Sequence, residues 1–420
     1  MKLNPLENKH IILGVTGSIA CYKAADLASK LAQAGALVDV LLTQGALQFV
    51  TPLTFQSVTG RRAYCDSDLW GNEAHVLHVG LGHATDLLVI APATANTLAK
   101  LAHGIADNLL SVTALAAACP LVIAPAMDGG MFSHPATQAN LEILRQRGAI
   151  VIGPAQGHLA SGLSGPGRMV EPSEILGVVR LTLARSGPAD TQPLLGLKVV
   201  VTAGGTQEPI DPVRVIANRS SGKQGMALAQ AALDLGAEVT LIAGVTSLAE
   251  PFGARRIDVQ TAQEMLEAVL TESKTADALV MAAAVADFRP AAPAAHKIKK
   301  DSGVPEIRLE NTADILSTVA QVKSKSGFPR LTVGFAAESQ DLIENASAKM
   351  KTKKLDLMVA NDISARDAGF AVDTNRVTLL FSDGRNEPLP LMSKAEVAAT
   401  VMQTVADLLH EQIIRKGQGE

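Results

Sequence analysis

The sequence has 420 residues, of which 47% are hydrophobic, 19% are charged and only 3% are aromatic. This length favours two or more domains, and the low aromatic content indicates cores built from Ala, Leu, Val and Ile. The net charge of −4, without a basic stripe, argues against nucleic acid as a partner. Three cysteines without a CxxC pair, and the lack of a leader-like start or a long apolar run, predict a soluble cytoplasmic protein without a membrane partner.

The first half opens with a strand–loop–helix–strand pattern. Residues 10–43 read HIILGVTGSIACYKAADLASKLAQAGALVDVLLT, with two apolar runs around a glycine loop and a stretch of helical periodicity. This order is typical of the βαβ unit of doubly wound folds, in which ligands bind beyond the carboxyl ends of the strands. The segments ATDLLVIAPAT and CPLVIAPAM predict further strands of the same sheet.

The first glycine loop, GVTGSIACYK, is a candidate phosphate site. It is not GxGxxG, but it places Gly14 and Gly17 before Ser18 at the predicted start of a helix. A serine hydroxyl and backbone N–H groups at a helix N-terminus suit a phosphate monoester. An ordinary helix cap is the alternative interpretation, and the loop alone leaves both open.

The segment ARSGPADTQPLLG predicts a domain boundary, because it is rich in Gly, Pro and small polar residues. We therefore expect one domain over 1–185, a linker over 186–196 and a second domain over 197–420. The second domain repeats the βαβ pattern, from LKVVVTAGGTQEP to QGMALAQAALDLGAEVTLIAG. Strands in ADALVMAAAVADF, LTVGFAAES and LDLMVAND, a hairpin through Asp383 and Gly384, and a final helix follow. The prediction is an α/β protein with two Rossmann-like doubly wound domains.

Residues 220–225, SSGKQG, resemble a P-loop only in part. A P-loop needs a glycine five positions before the Gly-Lys glycine and Ser or Thr after the lysine. Ala217 and Gln224 stand at those positions. We predict that the segment opens a helix whose N-terminus favours anionic groups, without forming a P-loop.

Motifs in both halves resemble known families. GVTGSIACYK, FVTPLTFQSVTG, LHVGLGHATDLLVIAPATANTLAKLAHGIADNLLS, PAM and GPGRM are similar to the flavin-dependent cysteine decarboxylases, whose domain is flavodoxin-like. TAGGTQEPIDPVRVIANRSSGKQG, AAAVADFRP, KIKK, VGFAAES and VAND resemble the CTP-binding phosphopantothenate–cysteine ligases. In this order, over nearly the whole chain, they resemble the bifunctional enzyme family of bacterial coenzyme A biosynthesis.

The resemblance implies two linked reactions on small molecules. CTP activates 4′-phosphopantothenate as an acyl cytidylate, cysteine displaces CMP, and the product is decarboxylated with FMN to 4′-phosphopantetheine. The implied cofactors are FMN and Mg²⁺, the latter held mainly through the phosphates of CTP, with no protein ligand assigned. Members of the family assemble as homo-oligomers that share flavin sites between subunits, so a homo-oligomer is expected.

In the first domain, the resemblance assigns His78 as the base beside the flavin ring. His75 and His83 lie close to it in sequence, but no carboxylate or cysteine completes a metal-binding set. The positions that match FMN contacts are Gly17, Ser18, Thr43, Phe49, Thr94, Asn96 and Ser111.

Two catalytic positions depart from the family pattern. Asp128 replaces the Asn that holds the substrate carboxylate, and an ionised Asp repels such a group unless it is neutralised or turned away. Ser161 replaces a proton-donating Cys, and a hydroxyl is a much weaker acid than a thiol. His158 is close enough to be the replacement acid. Three alternatives stay open: an active decarboxylase with an altered site, an FMN-binding domain that decarboxylates poorly and has a structural or regulatory role, and a different thiol substrate.

In the second domain, Asn218 matches the residue that contacts the acyl intermediate, and Lys297 matches a lysine at the nucleotide and acyl phosphate. A loop-capping role is the alternative for Asn218. The positions that match CTP contacts are Asp287, Lys297, Thr312, Ala313, Asp314, Ile315, Phe335, Lys349 and Lys353. Ala313 stands where the family usually has proline, which we expect to be tolerated if the contacts there are made by the backbone.

Overall fold

The computed structural model describes residues 4–70, 76–187, 191–299, 305–338, 341–362 and 374–417. The chain divides into two compact units, Met1–Ser186 and Gly187–Glu420. Each is a mixed α/β unit built on a predominantly parallel sheet, as the sequence predicts.

The first unit contains eight strands and eight helices among its described residues. The strands are β1 (His10–Val15), β2 (Leu37–Leu42), β3 (Ala63–Cys65), β4 (Leu87–Ala93), β5 (Leu121–Pro125), β6 (Ile150–Val151), β7 (Ala155–His158) and β8 (Ser164–Arg168). The helices are α1 (Cys21–Gln33), α2 (Pro52–Thr59), α3 (Leu77–Ala84), α4 (Ala95–His103), α5 (Leu109–Ala116), α6 (Gly129–Ser133), α7 (Pro135–Gln146) and α8 (Pro172–Ser186).

The main sheet of this unit is parallel, with the strand order β3-β2-β1-β4-β5-β6. This is the doubly wound order, and without the three-residue edge strand β3 it is the order of flavodoxin-like sheets. The strand order reverses between β1 and β4. Ligands of such sheets bind beyond the carboxyl ends of the strands at this switch point.

Both faces of the sheet are buried, which explains the continuous apolar runs of its strands. In β1, Leu13 and Val15 belong to the core on one face, whereas Ile12 packs on the other. Helices α1 and α8 pack against each other, as do α4 and α7. Both cores consist almost entirely of aliphatic side chains, with Phe55 as the largest buried residue.

The second unit contains fourteen strands and five helices among its described residues. The strands are β9 (Lys198–Ala203), β10 (Gln207–Pro209), β11 (Val215–Ala217), β12 (Glu238–Ala243), β13 (Arg255–Asp258), β14 (Ala278–Met281), β15 (Phe288–Pro290), β16 (Leu309–Asn311), β17 (Leu331–Glu338), β18 (Leu357–Asp362), β19 (Thr374–Asn375), β20 (Val377–Phe381), β21 (Asn386–Pro388) and β22 (Met392–Ser393). The helices are α9 (Lys223–Asp234), α10 (Ala262–Glu272), α11 (Ile315–Ser326), α12 (Leu342–Thr352) and α13 (Lys394–Gly417).

The eight-stranded sheet of this unit has the order β13-β12-β9-β14-β17-β18-β20-β21. The first six strands in this order are parallel, and the switch point lies between β9 and β14. Strands β20 and β21 form the predicted antiparallel hairpin, in which Gly384 has a φ of +92°. The predicted final helix is α13, which packs against α9.

Helix α9 begins at Lys223, inside the SSGKQG segment, as predicted. Gly222 precedes it with a φ of +79°, a conformation that favours glycine. Gly225 then brings the helix close to β9, because a Cβ there would lie 2.5 Å from the Cβ of Ala203. The glycines of this segment therefore serve the turn and the helix–strand contact.

Candidate functional site

In the first unit, the loops after β1 and β4 are joined at the switch point. The Thr16 hydroxyl donates to the carbonyl oxygen of Pro92 over 2.7 Å and accepts from the backbone N–H of Thr94 over 3.0 Å. Thr94 in turn is the N-cap of α4. These bonds hold the loop that carries Gly17 and Ser18 beside the start of α4.

The predicted helix start at Ser18 is wrong by three residues. Helix α1 begins at Cys21, and its N-cap is Ala20 in an αR conformation without a side-chain cap. The Ser18 hydroxyl instead accepts from the N–H of Ala20 over 3.3 Å. A turn therefore precedes the helix, and Ser18 lies on that turn at the edge of a cavity.

Gly17 is required by a close approach of two loops. A Cβ at Gly17 would lie 2.9 Å from the carbonyl carbon of Gly45, in the loop after β2. Thr43, at the start of that loop, is buried, and its hydroxyl donates to the carbonyl oxygen of Val15 over 3.4 Å. The structure thus brings Gly17, Ser18 and Thr43 to one edge of the sheet.

The other residues matched to FMN contacts occupy different environments. Asn96 is exposed in the first turn of α4, and Phe49 is 50% exposed. Ser111 is buried in a capping box with Asn108, so its hydroxyl is already engaged. His78 lies in α3, where its Nδ1 is buried without a hydrogen-bond partner among the described residues.

A cavity of about 340 Å³ brings together the two unusual positions, Asp128 and Ser161, with Ser18 and His158. Its lining also includes Tyr22, Lys23 and Arg168, which no sequence pattern indicates as site residues. The other residues matched to the flavin site are not part of this lining: Gly17, Thr43, Phe49, His78, Thr94, Asn96 and Ser111.

Asp128 and Ser161 are joined by a direct hydrogen bond. The Ser161 hydroxyl donates to Oδ2 of Asp128 over 2.6 Å, and the N–H of Gly130 donates to Oδ1 over 2.9 Å. These hydrogen bonds lower the pKa of the Asp128 carboxyl below its ordinary value, with the larger contribution from Ser161 and the smaller from Gly130. Asp128 is therefore an ionised N-cap of α6, and the hydroxyl proton of Ser161 is directed at it.

The β7–β8 hairpin holds Ser161 in this position. The Met127 N–H donates to the carbonyl oxygen of Gly167 over 3.0 Å, and a Cβ at Gly167 would collide with the Met127 carbonyl oxygen. Nζ of the buried Lys23 donates to the carbonyl oxygen of Met169 over 3.2 Å and to Glu171 over 2.6 Å. The GPGRM motif is thus fixed against both α1 and the loop that carries Asp128.

In the second unit, a cavity of about 790 Å³ lies at the switch point of the sheet. It is lined by the loops after β11, β14 and β16, the end of β17 and the starts of α9, α11 and α13. It includes every residue matched to the ligase site except Lys297: Asn218, Asp287, Thr312, Ala313, Asp314, Ile315, Phe335, Lys349 and Lys353.

Hydrogen bonds fix the backbone of this cavity. Nδ2 of Asn218 donates to the carbonyl oxygen of Val285 over 2.8 Å. The Thr312 hydroxyl donates to the carbonyl oxygen of Ala286 over 2.6 Å, and its N–H donates to that of Asp287 over 3.0 Å. The loops after β11, β14 and β16 are therefore joined by hydrogen bonds, each of which ends at a backbone carbonyl oxygen.

Asp314 combines a structural and an electrostatic role. It caps α11 through the N–H of Ser317, and Nζ of Lys353 lies 3.3 Å from its Oδ2. Burial opposes its charge, but the hydrogen bonds from Ser317 and the proximity of Lys353 outweigh burial and lower the pKa of Asp314. The carboxylate thus orients one of the two matched lysines of α12 and its C-terminal end.

The structure does not place Lys297 in the cavity lining. Lys297 is exposed on a loop whose next residue, Ile298, donates its N–H to the buried Asp211 over 3.2 Å. Residues 300–304, which follow, lie outside the described residues.

Several residues of this lining were not predicted as site residues, among them Arg219, Lys223, Gln224, Asn361, Asn375 and Lys394. Two sequence patterns could have indicated some of them. Asn361 lies at the polar end of the predicted strand LDLMVAND, and Lys223 and Gln224 belong to the SSGKQG segment. Asn375 and Lys394 carry no such signal, because only the tertiary fold brings their segments to α9.

Among the described residues, no group of three or more His, Cys, Asp or Glu side chains is arranged to hold a metal ion. His75 lies outside that part of the chain. All three cysteines are free thiols. Within the described ranges, no helix combines the length and the apolar character needed to cross a membrane.

Comparison with known proteins places this architecture in a family. Residues 2–183 match the family model described as "Flavoprotein", and residues 194–409 match the "DNA/pantothenate metabolism flavoprotein C-terminal domain". The coenzyme A biosynthesis bifunctional protein CoaBC of Bacillus subtilis (strain 168) is 46% identical over 404 residues, which cover 96% of this chain and 98% of that protein. The chain belongs to this CoaBC family.

Other members of the CoaBC family match over a similar length. The protein of Mycobacterium tuberculosis (strain H37Rv) is 46% identical over 411 residues, with 96% of this chain and 97% of the relative covered. Among solved structures, a C-terminal domain of a CoaBC protein is 39% identical and covers 52% of this chain and 99% of its own, with a TM-score of 0.45. A PPC decarboxylase variant complexed with pantothenoylaminoethenethiol is 38% identical and covers 42% of this chain and 98% of its own, with a TM-score of 0.39.

Proposed function

We propose that this chain performs two successive steps of coenzyme A biosynthesis. Its second domain, 197–420, joins 4′-phosphopantothenate to cysteine with CTP, and its first domain, 1–185, decarboxylates the product to 4′-phosphopantetheine. The observation that carries this proposal is similarity to the CoaBC family over 96% of the chain. The cavity in each unit agrees with it, since each includes residues matched to the corresponding reaction.

In the ligase reaction, the carboxylate of 4′-phosphopantothenate attacks the α-phosphate of CTP, and pyrophosphate leaves. Lys349 and Lys353 supply positive charge against the phosphates, and Asp314 keeps Lys353 oriented. Asn218 contacts the acyl cytidylate, and the amine of cysteine then displaces CMP. Lys297 joins the site only if its loop closes over the ligands, because it lies outside the cavity lining.

In the decarboxylase reaction, FMN supplies the redox chemistry on the substrate thiol. Ser18, which lines the cavity beyond β1, offers a hydroxyl to a phosphate group. The unpaired, buried Nδ1 of His78 fits a polar partner that the described residues do not supply. The remaining FMN contacts, Thr43, Phe49, Thr94, Asn96 and Ser111, rest on the family pattern.

Asp128 and Ser161, the two positions that depart from the family pattern, cannot play the roles that the family assigns to them. Ser161 is a poor proton donor, because its hydroxyl proton is directed at an ionised carboxylate that does not acidify it. Asp128 has both carboxylate oxygens occupied, so it orients the 159–163 loop and does not receive the substrate carboxylate. His158 is then the proton donor proposed for this cavity, and Arg168 provides positive charge for the substrate.

The proposal has three further parts. Mg²⁺ binds through the phosphates of CTP, the chain forms a homo-oligomer, and the protein is cytoplasmic. The first unit exposes large apolar side chains, including Ile19, Tyr22, Leu53 and Trp70. Such side chains favour burial between copies of the chain. An assembly of this kind also gives His78 a way to reach a flavin bound by a neighbouring subunit.

The test incubates the purified protein with 4′-phosphopantothenate, cysteine, CTP and Mg²⁺ and follows the products by mass spectrometry. We expect 4′-phosphopantetheine, CMP and pyrophosphate, with flavin absorbance in the purified protein and no turnover after Mg²⁺ is chelated. Accumulation of 4′-phosphopantothenoylcysteine with flavin bound would instead support an active ligase fused to a poor decarboxylase. Absence of pyrophosphate would contradict the ligase assignment.

A further inference from the structure

Two asparagines of the ligase cavity carry amide oxygens without partners. Asn375 in β19 is only 4% exposed, and Asn361 lies at the end of β18. Oδ1 of each side chain is buried and has no hydrogen-bond partner among the described residues. Both residues line the cavity. Buried polar atoms are almost always hydrogen-bonded in native proteins, so these two oxygens mark a place where a bound molecule donates.

A chain of hydrogen bonds fixes which atom of Asn375 is unpaired. The carbonyl oxygen of Lys394 accepts from Nε2 of Gln224 over 3.2 Å, and Oε1 of Gln224 accepts from Nδ2 of Asn375 over 2.9 Å. A backbone carbonyl only accepts, so Gln224 must turn its nitrogen to Lys394 and its oxygen to Asn375. The atom that Asn375 leaves for a ligand is therefore its oxygen.

The two oxygens lie on neighbouring segments, next to β17, which carries Phe335, and two strands away from β14, whose following loop carries Asp287. Asn361 pairs with Val377 in the sheet, and Val377 is two residues from Asn375. Asp287 follows β14, which is separated from β18 by β17. Two strand spacings separate β18 from β14 by about 10 Å, so the asparagines lie on the β18 side of the cavity.

The chemistry of the substrates narrows what these oxygens bind, an inference that rests on the proposed ligase reaction. Ionised phosphates and carboxylates have no hydrogen-bond donors, so the two oxygens face a part of a substrate that has them: the amine of cysteine, the amino group and ribose hydroxyls of CTP, or the amide and hydroxyl groups of 4′-phosphopantothenate. Of these, the amine of cysteine is the group that must be held for attack on the acyl carbon. The cavity lining carries more cations than carboxylates: Asp287 and Asp314, of which Asp314 is paired with Lys353, stand against Arg219, Lys223, Lys349, Lys353 and Lys394. Positive surroundings lower the pKa of a bound ammonium, and neutral amide oxygens, unlike carboxylates, do not reverse that effect.

We propose that the amide oxygens of Asn375 and Asn361 bind the amino group of cysteine in its uncharged form. Two N–H bonds then point at the oxygens, and the nitrogen lone pair is directed at the acyl carbon of the acyl cytidylate. The C–N bond forms, the C–O bond to the phosphate breaks, CMP leaves with the electron pair, and the excess amine proton passes to water. Asn375 thus selects and orients the nucleophile.

The experiment separates activation from ligation in the full-length protein. Pyrophosphate release from CTP and 4′-phosphopantothenate is measured without cysteine, and amide formation is measured with cysteine titrated. For Asn375→Ala we expect the KM for cysteine to rise about 10- to 100-fold, the loss expected for a substrate hydrogen bond, with pyrophosphate release retained. Retained release also shows that the variant is folded. Asn361→Ala is expected to change the same parameter in the same direction.

Gln403→Ala is the matched control, because Oε1 of Gln403 is likewise buried without a partner among the described residues but lies in α13 outside the cavity lining. Its KM for cysteine should equal that of the wild type. A second variant, Asn375→Asp, places a negative charge at the amine, which raises the pKa of the bound amine. The pH profile of kcat/KM for cysteine should therefore shift to higher pH.

Three outcomes would overturn the inference. A higher KM for CTP or for 4′-phosphopantothenate in pyrophosphate release, with an unchanged KM for cysteine, would assign the oxygens to that substrate. No change in either half-reaction would mean that water satisfies them. An unshifted pH profile in Asn375→Asp would exclude contact with the amine. A wild-type protein that releases no pyrophosphate would contradict the proposed function itself, a result distinct from all three.

Discussion

At the scale of single residues, the Asp128–Ser161 pair explains how two departures from the family pattern coexist. An isolated Asp at this position would repel a substrate carboxylate, but both of its oxygens accept hydrogen bonds from the protein. The two substitutions are complementary, because the serine hydroxyl donates to the carboxylate that replaces the amide. The two side chains therefore form one hydrogen-bonded unit.

The pair predicts a pKa shift. Ser161→Ala removes the principal bond that lowers the pKa of Asp128, so that pKa should rise toward its ordinary value. Since the folded-state pKa of Asp128 is depressed, its contribution to stability is present above its ordinary pKa and is lost as the pH falls through the folded value. Carboxyl-carbon NMR titration of both proteins measures the shift, and an unchanged pKa would show that the bond does not persist in solution.

The same geometry predicts that His158 and not Ser161 supplies the proton. His158→Gln should lower kcat for decarboxylation about 10²- to 10⁴-fold, the range of general acid catalysis, with flavin absorbance and pyrophosphate release retained. Ser161→Ala should have a much smaller effect on kcat. A reversed order of the two variants would assign the proton to the serine.

At the scale of secondary-structure elements, glycines determine how closely helices approach the strands. Gly225 allows α9 to lie against the end of β9, where a Cβ would meet both the Cβ of Ala203 and the carbonyl oxygen of Thr202. Because α9 also carries Lys223 and Gln224 into the cavity, the position of this helix sets the geometry of the proposed ligase site.

Gly225→Ala should therefore destabilise the second unit by about 1–3 kcal/mol, because the helix must move away from the strand. Gly80→Ala is the control, since Gly80 also lies in a helix but a Cβ there meets nothing within 4 Å. That change should be neutral or slightly stabilising. Thermal unfolding of both variants measures the difference, and equal midpoints would contradict the close packing of α9 on β9.

At the scale of the whole molecule, the two candidate sites use separate sets of residues. The smaller cavity is lined entirely by residues 18–169, and the larger one by residues 218–394. The product of the proposed ligase is the substrate of the proposed decarboxylase, and nothing in either lining is shared. The two reactions should therefore be separable by point substitutions.

His78→Gln is expected to accumulate 4′-phosphopantothenoylcysteine, whereas Asn218→Ala is expected to form almost none. Mixing the two variants should restore 4′-phosphopantetheine, because the intermediate diffuses from one protein to the other. Product analysis by mass spectrometry measures this recovery. A mixture that stays inactive would show that the two sites do not work independently.

The sequence by itself determined the class of fold, the two βαβ openings and the family, because continuous apolar runs, helical periodicity and glycine loops are local signals. It also located the residues that follow each strand, since the carboxyl ends of parallel strands meet at one edge. The segment SSGKQG opens a helix without forming a P-loop, as its spacing indicates.

Only the tertiary structure decided which distant side chains meet. The bond between Ser161 and Asp128 spans 33 residues, and that between Asn375 and Gln224 spans 151. Such pairings depend on the sheet order and on the close packing that glycines allow, which no local pattern encodes. The exact start of α1 also depended on context, because the backbone turn at Ala20 replaced the side-chain cap that Ser18 predicts. Local sequence patterns thus specified the helices and strands, and tertiary packing specified which side chains meet at the ends of the strands.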